Sequence, residues 1–457
     1  MTTANPASPL QAFQWQPQPR AEALITGLAE EFLTESEFAR ELKRRLHAEA
    51  GVRFIDLIDS IHVPRGISRH DALSEAGFIR RPIAGAEDRY VQEQGIFPAV
   101  VLHDARQTSV RLKAESVSDF LSAWQSSVAI EGSPLAPMRR APVDAAGRLW
   151  VVERHGYRGF EVRDATPAEA VAALHHYDML RWRRRVFSRD DDGFAHTHKL
   201  IDAAIADLGV DRTCDLFFAA EREYWQRRNR AAQVQKARQD KLGIGWANHD
   251  HHTYRSSRED FASLIAVFQN LGFHCRERFY AGHQTGWGAQ ILEQPNAGIV
   301  IFADVDLSPD ELFDDFAHDG LPPRDKLGTV GLWCALHGEA FLEAGMHHLE
   351  CQFDFDALKR QLESSEGVKV MTPFTDFSYL RQAFTEGEIW PVRPERIEKL
   401  LRSGRISDEQ ATHFRQNGAL GSHLENLERN QGFKGFNQTG VSEIIARTDP
   451  RAGVGRL

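Results

Sequence analysis

The pattern of apolar and polar positions divides the first half of the chain into two regions. Residues 20–49 place apolar side chains at helical spacing among charges, and short strand-like runs such as FPAVVLHD, SVRLKA, LWVVER and GFEVRD follow. From residue 166 onward, PAEAVAALHHYDMLRWRRRVF and HTHKLIDAAIADLG are typical of helices. We therefore predict a mixed α/β domain over residues 20–165 and a helical region or linker over 166–245, after a Pro- and Gln-rich disordered tail at 1–19.

The second half, residues 246–457, shows one order of patterns twice. The first copy runs through strand DHHTYRSS, helix SREDFASLIAVFQNLGF and strands CRERFYAG, GWGAQILEQ and AGIVIFADVD. The second copy runs through HHLECQF, the helix DFDALKRQLESSEG, VKVMTPF, TEGEIWPV, an inserted helical pair and SHLENLERNQG. Such repetition indicates a duplicated supersecondary unit. The predicted fold class is α+β, with paired βαβββ modules after a mixed α/β and helical N-terminal region.

Composition narrows the functional classes. The formal charge of −10 over 457 residues disfavours nucleic-acid binding, which needs a basic face. No run approaches the ~20 apolar residues of a membrane helix, so no membrane partner is expected. The four cysteines have neither CxxC spacing nor the density of a disulfide scaffold, which favours a reducing cytoplasm. A homodimer is compatible with the sequence, which does not determine the oligomeric state.

Histidine pairs open both modules at equivalent places. They are His251 with His252 and His347 with His348. Neighbouring residues on a strand point to opposite faces, so one histidine of each pair can face a cleft between the modules. Two histidines and one carboxylate form the arrangement that suits non-haem Fe(II). The alternative interpretation is that these are hydrogen-bonded structural histidines.

The carboxylate of such a set is expected from the last strand of the second module. Glu425 and Glu428 are the candidates there, and Asp304 and Asp306 at the end of the first module compete with them. Because histidine and carboxylate ligands also accept manganese and zinc, the sequence does not choose the metal.

Four segments taken together resemble one known family. They are HHTYRSSREDFASLIAVFQNLGF, RERFYAGHQTGWGAQILEQP, HHLECQFDFDALKRQL and GSHLENLERNQGFKGFNQTG. They resemble the 2-oxoadipate dioxygenase/decarboxylase family, also called hydroxyglutarate synthases, of the vicinal oxygen chelate superfamily. The resemblance covers the C-terminal half alone.

The resemblance implies particular ligands. The family's first ligand histidine is followed four positions later by a substrate-binding arginine, which matches His251 and Arg255. Its second ligand lies in a His-Leu pair before an Asp-x-Asp-Ala stretch, and His348 matches one residue short. Its third is a glutamate after a Gly-Ser-His triplet. Glu428 is one residue short of that spacing and is the first choice, with Glu425 as the rival.

The resemblance also implies an activity, that of an Fe(II)-dependent dioxygenase. Such an enzyme decarboxylates a 2-oxo acid similar to 2-oxoadipate with O2 and hydroxylates the shortened product. Arg255 would clamp a substrate carboxylate, because its planar fork pairs bidentately with that group. Gln290 on GWGAQILEQ is a candidate substrate contact, and His423 is a candidate for orienting the glutamate.

Two further hypotheses stay open at this stage. The same ligands suit a non-redox isomerase or lyase, or a ring-cleaving enzyme, of the same superfamily. The modules are also compatible with a catalytically inactive binding domain, in which the N-terminal half recognises a partner.

Overall fold

A seven-stranded sheet organises the N-terminal part of the chain. The computed structural model describes residues 14–282, 285–437 and 448–451, so most of the predicted tail lies outside the described residues. The sheet contains β1 (Ile58–Pro64), β2 (Ile79–Arg80), β3 (Arg89–Val91), β4 (Ala99–His103), β5 (Ser109–Lys113), β6 (Met138–Pro142) and β7 (Leu149–Arg154). Its order is β2-β3-β4-β1-β5-β7-β6. The helices here are α1 (Pro19–Glu35), α2 (Glu37–Ala50), α3 (Ile67–Glu75) and α4 (Val117–Ala123).

Four helices follow in the region predicted to be helical: α5 (Pro167–Arg181), α6 (Asp190–Leu208), α7 (Val210–Gln226) and α8 (Arg230–Asp240). A capping box between Thr166 and Glu169 begins α5, because each side chain hydrogen-bonds the other's backbone N–H. Within α7, Phe218 packs on Phe268 of the C-terminal half at a ring distance of 6.3 Å. One apolar core therefore runs through all three regions, and the predicted division into domains stays a prediction.

The C-terminal half contains two modules of the same order. The first consists of β8 (His249–Arg255), α9 (Phe261–Asn270), β9 (His274–Tyr280), β10 (Trp287–Gln294) and β11 (Ile299–Asp306). After α10 (Thr329–His337), the second consists of β12 (His348–Gln352), α11 (Phe355–Gln361), β13 (Thr375–Phe377), β14 (Leu380–Phe384) and β17 (His423–Arg429). Inserted before β17 are β15 (Ile389–Trp390), α12 (Pro394–Arg402), α13 (Asp408–Asn417) and β16 (Ala419–Leu420).

The two modules share one eight-stranded sheet with matching strand orders. The order is β13-β14-β17-β12-β8-β11-β10-β9, so from the centre outward each module runs first, fourth, third and second strand. The two first strands, β8 and β12, pair antiparallel at the centre. This arrangement confirms the predicted α+β class and the pair of βαβββ modules.

Several strand boundaries differ from the predicted ones. VKVMTPF contributes a single bridge from Val370 to Thr385, and the second strand of that module is β13. The third strand, β14, was not predicted, while TEGEIWPV supplies only β15 to a two-stranded ribbon with β16. GFEVRD forms no strand, although its Phe160 packs on Val101 of the N-terminal sheet. Among the described helices, none combines the length and apolar character that a bilayer crossing needs.

Acid is expected to destabilise the protein through His337. This buried residue ends α10 and donates its Nε2–H to the carbonyl of Leu420 at 3.0 Å. Burial lowers the pKa of His337 to about 3, whereas an unfolded histidine has a pKa near ~6.5. Below pH ~6.5, His337 binds a proton in the unfolded chain but not in the folded chain. The free energy of unfolding therefore falls by ~1.4 kcal/mol for each unit by which the pH decreases.

Urea unfolding of the wild type and His337→Gln at several pH values checks this. The free energy of unfolding of the wild type, relative to that of the variant, should fall by ~2 kcal/mol between pH ~6.5 and ~5, because glutamine does not titrate. A difference that stays constant over this range would contradict the assignment.

Candidate metal centre

Two imidazole rings from the central strands converge on one point. On β8 and β12, His251 lies opposite Glu350 and Thr253 lies opposite His348, so all four side chains share one face of the sheet. The Nε2 atom of His251 is 3.0 Å from Oε1 of Glu350, and Nε2 of His348 contacts the same oxygen. Thr253 donates its hydroxyl hydrogen to this oxygen at 3.0 Å.

The other ring nitrogen of each histidine is held by a neighbour. Asp250 Oδ1 accepts from Nδ1–H of His251 at 2.8 Å, while its carboxylate also accepts two hydrogen bonds from Arg429. Nδ1 of His348 lies 2.6 Å from Nδ1 of His347. When Nδ1 carries the hydrogen in the rings of His251 and His348, the Nε2 lone pairs of these two rings point toward Oε1 of Glu350. Metal-binding histidines are oriented by neighbours in this way.

A second glutamate joins the group from β17. Glu425 lies beside Glu350 in the β12–β17 register, and its Oε2 is 3.8 Å from Nε2 of His348. Its Oε1 accepts from the amide of Gln382 at 2.8 Å. One ligand atom each from His251, Glu350 and Glu425 lie within 4.8 Å of one another. Oε2 of Glu350 is buried and faces no nitrogen or hydroxyl donor among the described residues.

Burial sets the charge state of these groups. It lowers the pKa of His251 to about 4 and that of His348 well below the usual range, which leaves both rings neutral at physiological pH. It raises the pKa of Glu425 to about 8, and burial followed by the charge of Glu425 raises that of Glu350 well above its usual range. A cation at this point would stabilise both carboxylates in their charged form, in place of the protons.

The group lines a cavity of about 60 Å³. Aromatic walls surround it: Phe279, Trp287, Phe302, Phe374, Phe384 and Phe436. The ring of Phe302 lies 4.7 Å from that of His251. Such walls exclude water and lower the local dielectric constant, which strengthens interactions among charges inside.

A second group of ligand atoms lies next to the first. Nitrogens of His347, His348 and His423 fall within 4.8 Å of one another. The ring of His423 stacks on that of His348 at 4.5 Å. Because Nε2 of His348 also contacts Glu350 of the first group, its ring would serve one site or the other according to which nitrogen binds.

Comparisons with known proteins match the fold only weakly. No protein-family model and no curated protein matches the chain. Among solved structures, methylmalonyl-CoA epimerase from Mycobacterium tuberculosis is 16% identical over 40% of this chain and 89% of its own, with a TM-score of 0.23. A protein assigned to the glyoxalase superfamily from Ralstonia eutropha JMP134 is 12% identical over 60% of this chain and 100% of its own, with a TM-score of 0.33.

A triple mutant of 4-hydroxymandelate synthase from Streptomyces coelicolor is also similar. It is 12% identical over 86% of this chain and 98% of its own, with a TM-score of 0.27. TM-scores this low carry no argument about activity. The family suggested by the sequence motifs therefore stays a proposal.

The structure separates the two candidate glutamates. Glu425 lies beside His348, whereas Glu428 is on the other face of β17 by strand alternation. The carboxylate of Glu428 accepts from the backbone N–H of Phe355 at 2.8 Å and from the side chain of Asn430 at 3.0 Å. We therefore move the proposed third ligand from Glu428, the first choice by motif spacing, to its rival.

The other predicted residues lie at varying distances from the cavity. Arg255 ends β8 on the face of His251, and its buried Nε and Nη1 have no hydrogen-bond partner in the described ranges. Gln290 lies on the opposite face of the sheet and donates to the carbonyls of Glu277 and Ile291, both at 3.0 Å. His423 stacks on His348 rather than hydrogen-bonding Glu425, so neither Gln290 nor His423 keeps its assigned role in the proposal below.

The two competing aspartates differ in position. Asp304 lines the cavity, and burial raises its pKa to about 8 despite the positive charge of Arg255. Asp306 instead accepts backbone N–H groups at the start of α10, from Gly328, Val330 and Gly331 at 2.9 Å each. Only Asp304 of this pair remains a candidate for contact with metal or substrate.

Glu350 and Asp250 were not found from the sequence. The triplet His348-Leu349-Glu350 contained a signal, since residues two apart on a strand share a face. Asp250 is adjacent to His251, and no spacing rule predicts that an adjacent carboxylate turns back toward the ring. The local cause is a register shift in the β8–β12 pairing after His249.

Asp250→Asn is expected to weaken metal binding by ~10–100-fold without abolishing it, as is usual for outer partners of metal ligands. The amide can offer its NH2 group toward Nδ1 of His251 and loses the charged pairing with Arg429. Titration with Mn(II) followed by electron paramagnetic resonance measures the affinity. Unchanged affinity would show that Asp250 does not orient His251.

Proposed function

We propose that the chain is an Fe(II)-dependent dioxygenase that decarboxylates a 2-oxo acid, with His251, His348 and Glu425 as the metal ligands. The observation that carries the proposal is the convergence of two Nε2 atoms on one point, with both Nδ1 atoms held from behind. The buried carboxyl groups of Glu350 and Glu425 lie together beside this point, and a cation there would replace the proton that the pair holds.

The bound metal and the residues around this point would have different roles in the proposed reaction. Bound Fe(II) would supply the electron transfer to O2 that no side chain provides. The aromatic walls exclude water, which protects a reactive intermediate. Arg255 is the proposed partner for a substrate carboxylate, because it is buried on the face that carries His251 and its Nη1 makes no hydrogen bond with the described residues. Asp304, 3.9 Å from Arg255 Nε, would fix the arginine's position.

A second candidate function follows from Glu350. If its carboxylate also binds the metal, two histidines and two glutamates occupy four positions and leave two for a bidentate substrate, without room for O2 in a six-coordinate site. That arrangement favours a non-redox reaction, such as an isomerisation. The variant Glu350→Ala distinguishes the two candidate functions. Loss of metal in this variant would indicate that Glu350 is a fourth ligand, whereas retention of metal would indicate that Glu350 acts on the substrate.

Oxygen consumption tests the proposal. Protein purified without oxygen would be loaded with Fe(II) and mixed with 2-oxo acids, 2-oxoadipate among them, in an oxygen electrode with parallel detection of CO2. The proposal predicts one iron per chain and one O2 consumed per CO2 released, both absent in His251→Ala. Bound metal without oxygen uptake would favour the second candidate. Absence of metal would leave a binding module.

A further inference from the structure

A larger cavity of about 1010 Å³ lies between the two halves of the protein. The N-terminal sheet supplies Lys113 of β5 and Arg154 of β7, α7 supplies Leu216, and the C-terminal modules supply Asp250 and Arg429. This volume suits an organic molecule rather than a lone ion. Asp250 lines this cavity and also accepts a hydrogen bond from Nδ1–H of His251, so the cavity adjoins the candidate metal centre.

The carboxylates around Lys113 are already paired with arginines. The pairs are Asp56 with Arg53 at 2.7 Å, Asp59 with Arg154 at 2.7 Å, and Asp250 with Arg429 at 2.9 Å. The ammonium group of Lys113 makes no hydrogen bond and no ion pair with any residue the structure describes. Burial lowers the pKa of Lys113, against the nearby charges of Asp59 and Asp56. Lys113 is half-buried on the cavity wall, so its ammonium group is available to pair with an anion that enters the cavity.

Two further cations on the cavity wall lack a carboxylate partner within the described ranges. Arg158 is exposed at the edge of the cavity and donates through Nε to the carbonyl of Pro295 at 2.7 Å, which leaves its terminal nitrogens without an ion pair. Arg222 is buried, with Nη1 3.4 Å from Nε2 of His252 and its Nε unpartnered. Over its whole lining the cavity has ten lysine and arginine side chains against nine aspartate and glutamate side chains, a surplus of one positive charge, although the chain as a whole is acidic.

The remaining lining is apolar and includes Phe54, Ile58, Leu216 and Trp246. We propose that this cavity is a second ligand site for a small organic oxyanion, whose headgroup pairs with Lys113, Arg158 and Arg222 and whose apolar body packs on these side chains. The site is separate from the candidate metal centre and does not depend on the proposed oxygenase activity.

A fluorescent anion tests the site in the full chain. The probe is 8-anilinonaphthalene-1-sulfonate, and the matched neutral probe is N-phenyl-1-naphthylamine, which has the same rings without the sulfonate. We expect saturable binding of one sulfonate probe per chain, at least ~10-fold tighter than the neutral probe, since a buried charge pair contributes more than ~1.4 kcal/mol. Octanoate and octyl phosphate would then compete, and the better competitor identifies the headgroup.

Lys113→Met and Arg158→Gln are each expected to weaken binding of the sulfonate probe by at least ~10-fold and to leave the affinity for the neutral probe unchanged. Lys199→Met is the control, because that lysine is exposed on α6 and remote from the cavity. Metal content should be unaffected in Lys113→Met, which separates a failure here from a failure of the proposed function. Wild-type affinity in both cavity variants, or displacement by neither competitor, would overturn the proposal.

Discussion

Replacing His348 with alanine is expected to weaken metal binding by more than ~100-fold, beyond the range of outer-partner mutations. Nε2 of this residue contacts the carboxylate oxygen that Nε2 of His251 also approaches. Without the ring, His251 on β8 and Glu425 on β17 must hold the cation with fewer donors, and His251→Ala should have an effect of similar size.

Binding of Mn(II) under anaerobic conditions, followed by isothermal titration calorimetry, measures this loss. His274→Ala is the matched control, because His274 is exposed on β9 of the module that contains His251. Circular dichroism and thermal unfolding would check that the fold survives in each variant. Full metal stoichiometry in His348→Ala would remove that residue from the ligand set.

The second large effect is expected from replacing each of two glutamates on β17 with glutamine in separate variants. Glu425→Gln should lose metal affinity by more than ~100-fold, since the amide is a poor ligand and cannot balance the cation's charge. Glu428→Gln should bind metal within ~3-fold of the wild type and lose ~1 kcal/mol of stability, because its carboxylate caps the backbone of Phe355.

The same Mn(II) titration and urea unfolding separate the pair. Both substitutions are isosteric and lie on β17, so a general effect of replacing a carboxyl group on this strand would appear in both. If Glu428→Gln loses the metal and Glu425→Gln keeps it, the sequence motif was the better guide and the assignment made from the geometry fails.

The order of elements in the C-terminal half was predictable because each module repeats a change from period-two to helical patterning. The boundaries near β13 and β14 were not. VKVMTPF is more apolar than the segment that forms β13, and the short strand LRQAF is stabilised by pairing with β17 rather than by its own pattern. Pairing across the sheet decided these strands, and a local pattern does not contain that information.

The candidate site was predictable to the same degree. Strand alternation limited each histidine pair to one inward-facing member, and the motif resemblance selected His251 and His348. The choice between Glu425 and Glu428 depended on which face each occupies, which follows from the register of β17 against β12. The cavity around Lys113 was beyond prediction, because it forms where three separately patterned regions meet.

Locating the metal is the most direct test of the central proposal. Crystals of Fe(II)-loaded protein, grown without oxygen and measured on both sides of the iron absorption edge, would give an anomalous difference map. We predict one peak per chain, ~2 Å from Nε2 of His251 and of His348 and from a carboxylate oxygen of Glu425. A peak among His347, His348 and His423 instead, or none at either place, would contradict it.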